Sequence, residues 1–524
     1  MPDDDEAKLP RCLIGLTLSV INNYSWKEAY FIGKENRKQG LADFPNQIPH
    51  YVNIMSSIHA LRIPTGRRIP EKMILDIEVS GLYFGLEKKW GKGYYVGRKS
   101  DGEGNVMVVG INGSGKSHVC AKSIIETWRE PFVALDCKGE LSFYYKSLLK
   151  KRQVKREYLV FDPFNGGVHY NPFAILKKDK AHFVENVREI AYTLIPLPPN
   201  DPNSYWINMA RDLLSAIIMY YFSIGCDFSE TMLKAVTHSV SEICQNITQS
   251  DFAFAKMFIS EISGLKKEQQ ASIGTDMKQH LMVFATDSYV QDALSNSEKE
   301  KVFSWDDIFA SNEAPNVFLR LNQDRLEQWS GMTRLMITQL IRTLERRPDK
   351  QTPQGYGISP ILLLLDEFPL LGKIDAVTNA LTTLRSKKVT FCLMIQSIAQ
   401  LDAVYGYNVR KIIVDNCQFK LLLNITEPDS QEYFSRLIGS VPIGKRSMSQ
   451  NFDSIATQST YGLQIQESRE PLIYPHEFAT NRDIWLYTPY GFLCTYKLPV
   501  SVTHQHAYDF EKKLQHYEEA INDY

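Results

Sequence analysis

The chain has almost no net charge: 59 lysines and arginines stand against 60 aspartates and glutamates in 524 residues. No global field draws it to nucleic acid or anionic lipid, so any polyanion must meet a local cluster. Its eight cysteines, at 12, 120, 137, 226, 244, 392, 417 and 494, include no C-x-x-C pair. That spacing argues against a zinc ribbon or disulfide scaffold and fits reduced thiols in a cytosolic compartment. None of the eleven histidines stands in an H-E-x-x-H arrangement, and His504 and His506 alternate as on a polar strand face. Long apolar runs are missing too. The longest early one, residues 12–21, stops at Asn22-Asn23 and is too short for a bilayer. The acidic start, Met1-Pro2-Asp3-Asp4-Asp5-Glu6, lacks the positive segment of a secretion signal. The expectation is a soluble chain without internal repeats.

Two short motifs are present. Gly110-Ile111-Asn112-Gly113-Ser114-Gly115-Lys116-Ser117 follows an apolar run and leads through His118 into a helical pattern. Glycine-rich turns let backbone N–H groups approach phosphate oxygens closely, and the helix start behind them adds partial positive charge. In such a loop the lysine, Lys116, reaches the β- and γ-phosphates, and the Ser117 hydroxyl ligates Mg2+. The second motif is Asp366-Glu367, at the end of the apolar run Ile361–Leu365. There Asp366 is expected to hold the metal and Glu367 to orient or deprotonate the attacking water. The pair predicts a protein that binds ATP with Mg2+ and hydrolyses it.

Between and around the motifs, short apolar runs alternate with helical patterns. Strands are expected at 106–109, 131–136, 158–162, 316–321, 361–365, 389–396 and 418–425. This alternation predicts an α/β fold with a parallel, doubly covered sheet. Strand alternation stops near residue 171. Helical patterns over 183–194, 206–222, 229–246 and 252–265 predict an inserted all-α domain. The expected division is a nucleotide-binding domain over 101–181 and 305–524, an all-α domain over 182–304, and a separate lead-in over 1–100. The lead-in carries a helical pattern at 25–39 and strand patterns at 73–79 and 94–99. The Ser/Gln/Thr-rich stretch 447–468 reads as a flexible or hairpin-forming loop, followed by strands at 484–488 and 492–498. An amphipathic helix is expected at 508–521.

Several stretches together resemble one family, the type IV secretion coupling proteins of the TraG/TraD kind. They are MVVGINGSGKS at 107–117, LDCKGEL at 135–141, FDPF at 161–164, YNPF at 170–173, LLLLDEFPLLGKI at 362–374, IQSIAQLDAVYG at 395–406, EYFSRLIG at 432–439 and ESREPLIYPHEF at 467–478. The resemblance covers about residues 100–500 and implies a RecA-like P-loop ATPase motor with an inserted all-α domain, assembling as a homo-hexamer. It implies a bacterial cytoplasmic protein at the inner face of the inner membrane. Its implied partners are relaxase or effector proteins, single- or double-stranded DNA, and inner-membrane secretion components. By the same resemblance Gln396 matches a γ-phosphate sensor and Arg385 an arginine finger acting across a subunit boundary. The plain alternatives are a polar strand end for Gln396 and a solvated helix-end charge for Arg385. Asp136 and Lys138 match positions near the nucleotide, with capping and packing as the alternative.

Two features depart from the family. Most members carry amino-terminal transmembrane helices, and this chain shows no such run. A naturally soluble variant, a separate membrane partner and a trimmed chain all fit that difference. The usual Asp-x-x-Thr-Ala segment reads here Glu427-Pro428-Asp429-Ser430-Gln431. For DNA, the best basic run is Lys146, Lys150, Lys151, Arg152, Lys155 and Arg156, with Arg410, Lys411 and Lys445 scattered elsewhere; a solvated helix end explains the run equally well. No helix-turn-helix or zinc-finger pattern is present, so contacts would be to phosphates without sequence preference. Two other functions fit the motifs: a receptor in which nucleotide only orders assembly, and an unrelated P-loop enzyme.

Overall fold

The computed structural model describes residues 71–501, apart from 76–78, 88–94, 152, 198–203, 297–300, 312, 356 and 452–459, and leaves the side chains of 442–467 undescribed. The patterns at 25–39 and 508–521 and the pair His504/His506 lie outside the described residues. In chain order the strands are β1 (Gly81–Glu87), β2 (Tyr95–Lys99), β3 (Val106–Val109), β4 (Phe132–Leu135), β5 (Tyr158–Phe161), β6 (Val168–Tyr170), β7 (Lys301–Phe303) and β8 (Asn316–Leu319). They continue with β9 (Ile361–Leu365), β10 (Val389–Ile395), β11 (Phe419–Leu422), β12 (Ser440–Asn451), β13 (Thr460–Pro471), β14 (Ile484–Thr488) and β15 (Gly491–Tyr496).

Strands covered on both faces need apolar side chains at every position. β3, β4, β8, β9, β10 and β11 are buried throughout. They form the centre of an eleven-stranded sheet of order β2-β1-β15-β14-β11-β3-β10-β9-β4-β8-β5. From β11 to β5 all neighbours are parallel, and from β11 outwards through β14, β15, β1 and β2 they are antiparallel. Residues 81–87 and 95–99, within the stretch expected to stand apart, therefore extend the same sheet. Of the strand expected at 73–79, Met73 ends a 3-10 turn, Glu71–Met73, and Ile74 makes one bridge to Val96, while 76–78 lie outside the described residues.

One side chain ties the entry ends of the central strands together. Buried Asn105, just before β3, donates to the carbonyls of Leu381 (3.0 Å) and Asn416 (3.2 Å) and accepts from the Phe391 N–H of β10 (3.0 Å). In this register Val109 lies beside Ile395 and Leu422, so the chain leaves β3 and β10 at one level.

Between β6 and β7, which pair in parallel, the described residues are mainly helical. The helices Phe183–Leu194 and Ser204–Ser223 match the apolar pattern. The single helix expected over 229–246 is two, Phe228–Thr237 and Val240–Gln249, because Ser239 with Glu242 forms a capping box that restarts the chain. A further helix, Lys267–Thr286, has a weak apolar periodicity. Its Gly274 allows close approach: a Cβ there would lie 2.6 Å from Val240 Cγ2. Tyr221 is buried, and Trp206 and Tyr220 pack against the same core, so these aromatics are packing residues. Of the 447–468 stretch, residues 447–451 and 460–468 pair in the ribbon of β12 and β13, and 452–459 lie outside the described residues.

Candidate nucleotide-binding site

At the exit ends of β3, β9 and β10, three turns converge. The 110–117 loop leaves β3 and holds its shape through backbone bonds from Gly110 N–H to Ile395 O (3.1 Å) and Ile111 N–H to Asn424 O (2.9 Å). Gly113 and Gly115 sit at φ 77° and 94°, which explains glycine at both positions. Behind the loop the helix opens as a wide π turn, Lys116–Ala121, before continuing as Lys122–Thr127. Such turns recur at functional sites.

The charged groups lie within this corner. Lys116 is buried; its Nζ donates to Gly110 O (2.7 Å) and Ile111 O (3.4 Å) and lies 3.7 Å from Glu367 Oε1. Ser117 Oγ donates to Asp366 Oδ2 at 3.1 Å, although the two are 249 positions apart in sequence. Gln396 Nε2, at the end of β10, donates to Glu367 Oε2 at 3.0 Å. Glu367 itself sits in the left-handed region, φ 50°, a strained conformation for a non-glycine residue that concentrates at functional sites. Burial, with help from neighbouring Glu367, raises the Asp366 pKa. Burial also lowers the Lys116 pKa, against the pull of Glu367 and Asp366. Both shifts express a site built of charges and largely removed from water.

The residues fit a phosphate tail and a divalent cation. Ser114 Oγ is buried with no hydrogen-bond partner, an unmet polar group on the inner side of the loop. No cluster of three or more acidic, histidine or cysteine ligands exists among the described residues. Mg2+ usually takes one or two carboxylates and completes its shell with phosphate and water, a donor set that Asp366 beside the Ser117 hydroxyl begins. Lys116 and the loop N–H groups would face the phosphates, and Ser117 with Asp366 would hold the cation. Asn112, Gly113 and His118 are exposed on the open side of the loop.

Arg385 is not part of this corner. It lies in the turn Leu384–Lys387 before β10, at the strand-entry end, where Glu103 binds it together with Lys350. The length of β10, roughly 20 Å at about 3.3 Å per residue, separates it from Gln396. Asp136 resolves toward capping: its carboxylate accepts from Leu141 N–H, Ser142 N–H and Ser142 Oγ at the start of Glu140–Lys150. Lys138 is exposed near Lys116. In the family segment that departs from its usual form, Glu427 caps Pro428–Ile438 by accepting from the Asp429 and Ser430 N–H groups.

Sequence reasoning missed Lys497, just beyond β15. Its Cε lies 3.0 Å from the place a Gly115 Cβ would take, and its Nζ donates to Asn424 Oδ1 at 3.0 Å. No local pattern could signal it, because strand pairing alone brings it to the loop. Two of the basic candidates are structural. Arg156 donates to Ala314 O (2.8 Å) and Arg129 O (3.3 Å), while buried Arg410 pairs with Asp402 (3.1 Å) and stacks on Tyr407 and Tyr433. Arg152 and the Lys445 side chain lie outside the described residues.

Fold and site together define a RecA-like P-loop protein. The chain belongs to the family described as Type IV secretory system Conjugative DNA transfer, which it matches over residues 70–483. It is similar to the conjugal transfer protein TraG of Escherichia coli, 22% identical over 441 residues covering 80% of this chain and 67% of that protein. It is also similar to protein VirD4 of Agrobacterium fabrum, 26% identical over 391 residues covering 71% of this chain and 54% of that one. The chain thus spans between about half and two thirds of these relatives. The plasmid coupling protein TrwB in complex with ADP and Mg2+ has the same fold, with TM-score 0.60, 15% identity, and coverage of 82% of this chain and 89% of that one. No helix among the described residues is long and apolar enough to cross a membrane.

Proposed function

We propose that the chain is an ATP-hydrolysing coupling protein that passes DNA–protein complexes or effector proteins to a type IV secretion channel. The observation that carries this reading is the meeting of Lys116, Ser117, Asp366, Glu367 and Gln396 at one strand-exit corner. ATP and Mg2+ would supply the phosphoryl group and the cation that neutralises its developing charge. The similar TrwB fold solved with ADP and Mg2+ supports that pairing. Within the corner, Lys116 orients the phosphates, Asp366 and Ser117 fix the cation side, and Glu367 accepts the water proton while Gln396 holds its carboxylate.

The working unit is a homo-hexamer in which Arg385 of one subunit completes the site of the next. Its position far from Lys116 in the same chain supports that assignment. The motor comprises 101–181 and 305–524, extended by the strands at 81–99, with an all-α insertion over 182–304. DNA is held through its phosphates, relaxase or effector proteins are the cargo, and inner-membrane secretion components are the dock. The protein works at the cytoplasmic face of that membrane.

The test is equilibrium binding of a fluorescent ATP analogue with Mg2+, alongside phosphate release by the full chain. Wild type binds and turns over, Lys116→Ala loses binding, and Glu367→Gln keeps binding while turnover falls by on the order of 10²–10⁴. Folded wild type that takes up no Mg-ATP would overturn the reading. Binding without turnover at any protein concentration would leave only the receptor function.

A further inference from the structure

A cleft of about 810 Å³ opens between the helices Phe183–Leu194, Ser204–Ser223 and Ser330–Glu345 and the turn after Phe368–Leu371. Its walls carry an uneven set of charges. Arg342 is neutralised by Glu189 (2.6 Å) and Glu345 (2.7 Å), and Lys373 by Asp375 (2.9 Å). The remaining guanidiniums, on Arg188, Arg211 and Arg334, have no carboxylate at ion-pair distance among the described residues. Among the described wall residues Glu185 is the acid without an ion pair, and Asp212 beside the cleft acts on Arg188 and Arg211 from beyond ion-pair distance. Arg188 and Arg211 lie against Tyr192, 5.2 Å and 4.6 Å from its ring centre. Arg334 Nε is buried and makes no hydrogen bond.

Unpaired cations drawn partly out of water are unfavourable until an anion meets them. Burial lowers the pKa of both Arg211 and Arg334, the sign of that cost, whereas exposed Arg188 is shifted up by its hydrogen bond with Tyr192 and adds charge at the rim. A guanidinium fork matches a phosphate with two parallel hydrogen bonds. Arg211 already donates from Nε to Ile195 O (2.8 Å) and from Nη1 to Asn208 Oδ1 (3.1 Å), and Arg188 from Nη2 to the Tyr192 hydroxyl (2.8 Å), all neutral acceptors that leave the charge uncompensated. The remaining N–H groups of three guanidiniums along one cleft suit a chain of phosphates better than a single ion. The cleft is too small for a duplex, whose major groove alone is about 12 Å wide. Two arginines already lie against the Tyr192 ring, so contact with the ligand is assigned to charge and not to base stacking.

We propose that this cleft binds single-stranded nucleic acid, its phosphates held by Arg188, Arg211 and Arg334. The proposal rests on the coupling function above and deepens it, by assigning a seat for the cargo strand. It also links that seat to hydrolysis. Gly372 and Asp375 line the cleft. They follow Glu367 through the short turn Phe368–Leu371. A strand in the cleft presses on the segment that positions the carboxylate.

The experiment is fluorescence anisotropy of a labelled oligothymidylate with the full chain, measured against salt. Arg334→Gln and the double variant Arg188→Gln/Arg211→Gln are compared with wild type, and polyglutamate serves as competitor. Arg188 is exposed, so the double variant tests the cleft even if Arg334→Gln fails to fold. Each arginine removed is expected to weaken binding several-fold and to flatten the log–log salt slope by about 0.7. Variants that bind like wild type overturn the cleft and leave the coupling function standing. Wild type that binds Mg-ATP but no oligothymidylate overturns the cleft together with DNA handling. Variants that lose polyglutamate but not oligothymidylate overturn the nucleic-acid assignment.

Discussion

Arg385 is ion-paired with Glu103 at the strand-entry edge of the sheet, and Lys350 grips the same carboxylate. The hydrogen bonds from Lys350 and Arg385 hold the Glu103 pKa down at about 2. An arginine finger must leave such a partner to serve a neighbour. Arg385→Ala should therefore lower turnover by on the order of 10³ under assembling conditions, with nucleotide affinity unchanged. Glu103→Gln should raise turnover at low protein concentration. Phosphate release measured across a concentration series checks both; equal rates for Arg385→Ala and wild type would remove the finger role.

The same pair gives a pH signature. A carboxylate held below its unfolded value adds stability that is fully present above about pH 4.5 and is lost as pH falls toward 2. Half-exposed Glu103 makes that contribution small. Its resonance in a carboxyl-observed NMR titration should stay ionised at pH 3.5 and move part of the way toward an ordinary midpoint in Arg385→Ala, where Lys350 still holds it.

Asp366 shifts the opposite way. Its raised pKa means that it protonates earlier than an ordinary carboxyl group as pH falls, and the ionised form is the one that would hold Mg2+ under the proposed function. Mg2+-dependent nucleotide affinity should weaken on acidification from neutral pH sooner than Mg2+-free affinity does. A raised folded pKa also means that the ionised group opposes folding above that pKa. Asp366→Asn should thus increase the urea midpoint at pH 7.5, with an unchanged m-value, while abolishing the Mg2+ dependence.

Gln396→Ala should separate binding from chemistry. The substitution removes the 3.0 Å bond that orients Glu367 and leaves the phosphate loop intact. Turnover is expected to fall about 10²-fold with little change in nucleotide Kd. A proportional loss of binding would place Gln396 on the substrate and not on Glu367.

For the fold, Leu393→Ala in fully buried β10 should cost about 2–5 kcal/mol by urea unfolding. Ser239→Ala should cost about 1 kcal/mol, because it removes a helix cap and no core contact.

The central strands were legible because doubly covered strands are apolar at every position, so β3, β9 and β10 announce themselves. The phosphate loop and Asp366-Glu367 were legible because their chemistry is local in sequence. What failed was long-range. β1 and β2 read as a separate lead-in, since nothing in residues 81–99 says that they pair with β15 from the far end of the chain. Lys497 was invisible for the same reason. The break at His238-Ser239 was hidden because an apolar stripe runs through it, and only the capping geometry divides the helix. Helix Lys267–Thr286 hid behind a glycine that serves packing.

Asn105 has a reach beyond its own hydrogen bonds. By pinning β3 to β10 at one margin of the sheet, it sets the height at which both strands emerge at the other, where Gly110 and Gln396 begin. A slip of one residue would displace one ledge by about 3.3 Å and turn its side chains to the wrong face. The alignment of the candidate site is thus gauged from the opposite shore, by an amide outside the corner it levels.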